Sequence, residues 1–136
     1  ERQLRAEAPL AAQSPGVTHK VALTGTMMPY IWSLDDRTWA GHRPLRVAGG
    51  QRVVIEMSNR SGMAHPMHLH GHHFQVVGLD GSPLSGAVRD TVLVPARGSV
   101  TVAFDAGNPG RWLFHCHNLF HMAAGMMTEV AYDGVA

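Results

Sequence analysis

His73-Phe74-Gln75-Val76-Val77-Gly78-Leu79-Asp80-Gly81 reads as a β-strand running into a tight turn. Aromatic and β-branched side chains suit a pleated, half-buried surface, and Asp-Gly tolerates the positive φ angles of a hairpin turn. The same pattern repeats on both sides. Upstream, Gly49-Gly50 precedes Val53-Val54-Ile55-Glu56-Met57, and Val17 to Thr24 and Tyr30 to Trp32 are further strand candidates. Downstream come Thr91 to Val94, Val100 to Phe104, Arg111 to His115 and Thr128 to Tyr132, with Asn108-Pro109-Gly110 as an intervening turn. Seven to nine short strands and no long helical period predict an all-β sandwich or barrel. The one helix-like stretch is short, around Asn118 to Ala124.

A chain of 136 residues suits one domain, large enough to bury a core without disulfides. With 45% hydrophobic and 15% charged residues the composition is that of a globular protein. The formal net charge is only +1 and the Lys and Arg residues are scattered, which argues against a nucleic-acid or anionic-membrane partner. No stretch has the apolar length to cross a bilayer. The first residues, Glu1-Arg2-Gln3-Leu4-Arg5-Ala6-Glu7, lack the apolar run of a signal peptide, so any export signal is expected to have been removed or to lie on further sequence. A single cysteine excludes an intrachain disulfide. Residues 1–16, rich in Ala, Pro and Gln without periodicity, read as a linker or tail, leaving residues 17–136 as the domain.

Histidine is the anomaly. Of ten, all but His19 and His42 fall in two internal clusters. One is His65-Pro66-Met67-His68-Leu69-His70-Gly71-His72-His73; the other is His115-Cys116-His117-Asn118-Leu119-Phe120-His121, continuing to Gly125-Met126. On a strand, alternate side chains face opposite sides, so Cys116 points one way and His115 and His117 the other. On the cysteine side, His121 and Met126 return after the strand ends. A thiolate, imidazoles and a weak thioether form the donor set of a blue electron-transfer copper site. Soft sulfur suits Cu(I) and imidazole accepts Cu(II), so neither state is strongly disfavoured. The missing imidazole is assigned to His65, whose odd spacing from His68 and His70 turns it to the other face; Pro66 biases it toward an extended backbone. The pairs His68/His70 and His115/His117 put four imidazoles on one face without a nearby carboxylate, which suits copper better than a hard ion.

HPMHLHGHHF (residues 65–74) and HCHNLFHMAAGMM (residues 115–127) resemble, in order and spacing, the two copper signatures of the last cupredoxin domain of multicopper oxidases, the family of laccases and copper-resistance oxidases. YIWSLDD, RDTVLVP and FDAGNPGRW extend the resemblance over roughly residues 18–132. It implies a Greek-key cupredoxin sandwich or barrel. It implies a mononuclear type 1 copper on His65, Cys116, His121 and Met126. His68 would bind a type 2 copper, and His70, His115 and His117 a type 3 pair. His115-Cys116-His117 would carry electrons from the mononuclear centre to the trinuclear one, where O₂ is reduced to water. A phenol, an aromatic amine or Cu(I) would supply the electrons, and a periplasmic or secreted location is expected.

In that family the trinuclear cluster lies between two cupredoxin domains, each giving two His-x-His pairs, and this chain has only the last domain's two, His68/His70 and His115/His117. Three readings stay open: an oxidase completed by another polypeptide or a second copy through the histidine face, a stand-alone electron-transfer protein, and a domain cut from a longer oxidase. The retained His-x-His pairs argue against pure electron transfer. His72 and His73 extend the motif without being ligands, and His19 and His42 read as solvated surface residues. Met27, Met28, Met63, Met67, Met122 and Met127 have two readings, a route for cuprous ion or apolar filler around the copper site, and filler is the expectation.

Overall fold

The structure is a computed structural model that describes residues 1–135; Ala136, the last residue of the expected domain, lies outside the described residues. The strands are β1 (Val17–Met27), β2 (Tyr30–Leu34), β3 (Leu45–Val47), β4 (Arg52–Asn59), β5 (His65–Leu69), β6 (Phe74–Leu79), β7 (Ser82–Pro83), β8 (Val88–Arg89), β9 (Thr91–Val94), β10 (Ser99–Asp105), β11 (Arg111–Cys116) and β12 (Met127–Tyr132), with one short helix, α1 (Leu119–Ala123). That exceeds the expected seven to nine. The extra strands are short: β7 and β8 have two residues each, and β3 has three.

Two sheets form. One runs β2-β1-β4-β10-β6-β7 with β8 also beside β6; the other runs β3-β12-β11-β5-β9. The β1/β4 and β3/β12 pairs are parallel, and the remaining ladders are antiparallel. The chain belongs to the all-β class and folds as a two-sheet sandwich.

Alternation supplies the core. From the first sheet, Leu23, Ile55, Phe74, Val102 and Phe104 turn inward; from the second, Met67, Leu69, Phe114 and Val130 do so, each at most 1% exposed. Asp80 (φ 48°) and Gly81 (φ 81°) make the sharp β6–β7 turn, as the Asp-Gly pair predicts. Residues 1–16 carry no strand, yet they lie against the body: the Leu10 N–H donates to Gln75 Oε1 at 3.0 Å, and Glu1 pairs with Arg89 at 2.8 Å.

His42 is not a solvated surface residue. Its ring stacks on Trp39 at 3.9 Å and bridges the Trp39 carbonyl and Glu129 Oε2 at 2.7 and 2.9 Å. Glu129 is 6% exposed, and a buried carboxylate without partners would be costly. Burial raises its pKa, but hydrogen bonds from Arg111 and His42 outweigh that and hold it below the usual value.

Candidate metal centre

The second sheet positions the site through one register. Strands β5 and β11 pair antiparallel with Cys116 opposite Met67, His115 opposite His68 and Phe114 opposite Leu69. Residues directly opposite in a ladder project to the same face. Cys116, Met67 and, two positions along β5, His65 therefore face the core, while His115 and His68 face away from it.

On the core face, His65 Nδ1 and His121 Nδ1 lie 3.1 Å apart, and Cys116 Sγ is 3.7 Å from each. All three residues are buried, at 0%, 1% and 0% exposure. Among the described residues they are the one group of three such donors within 4.8 Å of one another. An ion held at about 2.0 Å from nitrogen and about 2.3 Å from sulfur fits between atoms at these separations. Two imidazoles and a thiol, without a carboxylate, match soft and borderline transition metals, copper among them, better than calcium or magnesium.

Burial, and then the neighbouring His121, push the His65 pKa down to about 4. Burial lowers His121 as well, which favours the neutral form of both imidazoles. Burial pushes the Cys116 thiol up to about 11, against a smaller opposing effect of a backbone hydrogen bond at Asn118. A metal must therefore displace the thiol proton when it binds.

The loop that returns His121 is locally determined. Asn118 caps α1, its side chain accepting from the Phe120 and His121 N–H groups at 3.1 and 3.4 Å. Gly125 sits at φ 117°, where an added Cβ would lie 2.5 Å from Thr38 Cβ, so only glycine fits. Met126 follows, fully buried; its N–H donates to the His121 carbonyl and its carbonyl accepts from the Cys116 N–H, both at 3.1 Å. Trp32 roofs the site, its ring 4.3 Å from His121 and 5.1 Å from His65. Trp32 Nε1 and His121 Nε2 are buried without hydrogen-bond partners.

On the other face, His68, His70, His115 and His117 form one patch. Ring centroids are 4.7 Å apart for His68/His70, 5.1 Å for His70/His115 and 5.7 Å for His68/His117. The Nε2 atoms of His70 and His115 approach to 2.9 Å. The Nδ1 of His68 faces the Asp90 carbonyl at 2.8 Å, and the Nδ1 of His115 faces the Cys116 carbonyl at 3.0 Å. Each Nδ1–H donates there, which leaves Nε2 as the outward lone pair. Burial, with smaller contributions from charged neighbours, lowers the pKa of His70; burial also dominates for His115. His70 and His115 approach as closely as His65 and His121 do, but no three of these four rings bring donor atoms within 4.8 Å of one another as the core-face trio does.

The structure separates the remaining histidines and methionines. His72 is buried, with Nδ1 at 3.1 Å from the His70 carbonyl and Nε2 at 2.7 Å from the Tyr132 hydroxyl. Met67 is buried filler, but Met27 and Met28 are not: they are 63% and 93% exposed where β1 turns into β2, a connection too short to fold them inward.

The multicopper oxidase family model matches residues 13–134. The chain belongs to the multicopper oxidase family. It is 42% identical over 120 residues to multicopper oxidase MmcO of Mycobacterium tuberculosis, covering 87% of this chain and 23% of that protein. Against copper resistance protein A of Pseudomonas syringae pv. tomato the identity is 36% over 121 residues, covering 89% and 20%. The McoA multicopper oxidase of Aquifex aeolicus superposes with a TM-score of 0.78 at 28% identity, covering 93% of this chain and 31% of that structure. The chain thus spans about a fifth of the length of the curated relatives it matches. Multicopper oxidases are copper-dependent oxidoreductases, and the chemistry of the donors gathered here is consistent with that membership.

Asn59 and Ser61 carry no metal-site signal in the sequence. Both are buried, at 3% and 5% exposure, and Ser61 Oγ lies 2.8 Å from His65 Nε2. In a sequence they resemble ordinary loop residues after a strand.

Proposed function

We propose that this chain is the copper-carrying cupredoxin domain of a laccase-like oxidase. His65, Cys116 and His121 would hold a mononuclear type 1 copper through Nδ1, Sγ and Nδ1, with Met126 as the weak axial thioether. Copper bound there would supply one-electron redox chemistry, and a phenol, an aromatic amine or Cu(I) would be the reducing substrate. The chain's part is to fix the donors, keep water out with Trp32, and hold the imidazoles neutral.

The observation that carries the reading is the β5–β11 register, which sets Cys116 on the core face and His115 with His68 on the opposite face of the same ladder. The His115-Cys116-His117 tripeptide is then a covalent path between two groups of metal donors. His68 would bind the type 2 ion, and His70, His115 and His117 the type 3 pair. Reduction of O₂ to water takes four electrons and four protons. Eight imidazoles surround the ions in the family's cluster; this face offers His68, His70, His115 and His117, so a second cupredoxin domain or a second copy of the chain would supply the rest. An isologous dimer presents the same patch from both partners and would complete the set. Residues 1–16 would be a linker or tail and residues 17–136 the domain, in a periplasmic or secreted protein.

A second reading, a mononuclear electron carrier, draws on the core-face trio alone, among the described residues, gathering three donor atoms within 4.8 Å, which the outer histidines do not. Copper counted per chain, with sedimentation and oxygen uptake on the same samples, separates the two. About one copper on an inactive monomer favours the carrier, and more copper on an associated, oxygen-consuming form favours the oxidase.

A further inference from the structure

The two core-face imidazoles are equivalent toward the metal site and unequal behind it. His121 Nε2 has no partner, whereas His65 Nε2 meets Ser61 Oγ at 2.8 Å. Ser61 in turn belongs to a fixed network. The Asn59 amide Nδ2 donates to the carbonyls of Met63, Val94 and Pro95 at 2.7, 3.2 and 3.0 Å. Three acceptors on one side of the amide fix its orientation, so Oδ1 must face Ser61. That oxygen accepts the Ser61 N–H at 2.9 Å and the Ser61 Oγ–H at 2.8 Å.

The Ser61 hydroxyl is directed at Asn59 Oδ1 at 2.8 Å and at the Met63 carbonyl at 3.1 Å, both of which can only accept, while the Met63 N–H at 3.4 Å points to the same Oγ. In that arrangement Ser61 Oγ turns a lone pair toward His65, which donates its Nε2–H to it. Its other nitrogen, Nδ1, is thereby unprotonated and faces Cys116 Sγ and His121 Nδ1. In the metal-free chain His121 donates its Nδ1–H to that lone pair, and nothing behind His121 fixes its tautomer.

We infer that Ser61, held by Asn59, is a positioning residue that selects the metal-ready tautomer of His65 and tunes the copper it would bind toward Cu(II). The role rests on the copper reading above. An imidazole that donates its distal N–H to an oxygen becomes a stronger donor at its metal-binding nitrogen. A stronger donor favours the more highly charged Cu(II) over Cu(I). The bland alternative is a loop staple: Asn59 and Ser61 tie the 60–64 loop to the end of β9, with no electronic effect. That alternative predicts equal loss of both oxidation states on substitution.

The test uses Ser61→Ala, which removes the acceptor, and Ser61→Thr, which restores a hydroxyl. Metal-free wild type should show His65 as the Nε2–H tautomer in nitrogen–proton correlation spectra. Ser61→Ala should weaken Cu(II) binding about tenfold, the lower end for lost outer contacts, with Cu(I) binding unchanged. For one electron that ratio raises the midpoint potential by about 59 mV. Ser61→Thr should return both values to wild type. His65 found as the Nδ1–H tautomer in the wild type would overturn the inference without any variant, even if Ser61→Ala failed to fold. Equal losses for Cu(II) and Cu(I), with the potential unmoved, would also overturn it in favour of the staple. If copper-loaded wild type lacks a thiolate charge-transfer band, the copper reading itself fails and the tuning role falls with it. That failure is distinguishable, because the tautomer is read without metal.

Discussion

His65 and His121 are 56 positions apart in sequence, yet their Nδ1 atoms face each other at 3.1 Å inside the core. Neither ring has another imidazole to satisfy it there, and Cys116 Sγ completes a triangle at 3.7 Å from both. Three buried, uncharged donors aimed at one point would be a poor arrangement for stability alone, since they displace apolar packing. The arrangement makes sense if a cation joins them.

Acid should weaken the metal-free fold in a defined window. His65 has an ordinary pKa of 6.5 and is held down to about 4 in the folded chain. Above 6.5 the ring is neutral in both states and its contribution is fully present. As pH falls from 6.5 toward 4, the unfolded chain takes up a proton that the folded chain refuses, so stability is lost. The loss from this residue is on the order of 3 kcal/mol, levelling off below pH 4. Urea unfolding of metal-free protein between pH 4 and pH 7.5 reads it; a flat midpoint across that range would contradict the burial argument.

Copper uptake should release a proton near neutral pH. The Cys116 thiol, raised by burial to about 11, is protonated at pH 7 and binds metal only as thiolate. Apparent affinity should therefore rise about tenfold per pH unit from pH 7 upward. Calorimetry in buffers of different ionisation enthalpy counts the proton, and binding with no release would mean that the thiolate is not a ligand.

Met126→Leu should keep the visible colour and raise the reduction potential. Leucine preserves the buried volume of a residue with no exposed surface, while the weak axial donor disappears and Cu(II) loses more than Cu(I). An unchanged or lower potential in redox titration would remove Met126 from the donor set.

Much of the site was legible in the sequence because its signals are local. Thr91 to Val94 reads as a strand and forms β9 with those same ends, and the short helix around residues 118–124 appears as α1. The alternation in His65 to Leu69 already separated His65 from His68. What sequence could not supply is register. His115 lies opposite His68 because β5 and β11 pair across a long stretch of chain, and that choice depends on packing of the whole sheet. The same holds for His42, whose carboxylate partner Glu129 is 87 positions away, and for Ser61, which looks like a turn residue until His65 folds back onto it. Strand β3 escaped notice because three residues between Pro44 and the Gly49-Gly50 turn are too few to show a period.

Replacing His68 and His117 together with Ala tests the outer face. Both rings belong to the patch and neither touches the core-face trio, so the colour of the copper-loaded chain should survive. Association in the presence of copper, and any oxygen uptake, should disappear in sedimentation and oxygen-electrode measurements. Loss of the colour as well would mean that the two faces have been confused.

Whether Cys116 binds copper is read from the visible spectrum of the copper-loaded chain. Cys116 is the chain's one thiol and lies buried between His65 and His121. A thiolate bound to Cu(II) gives an intense charge-transfer band, and serine, neither soft nor readily deprotonated, cannot replace it. The wild-type chain loaded with Cu(II) should be strongly coloured and Cys116→Ser colourless at the same copper content. A wild-type chain without the band, or a Cys116→Ser chain that keeps it, would contradict the account.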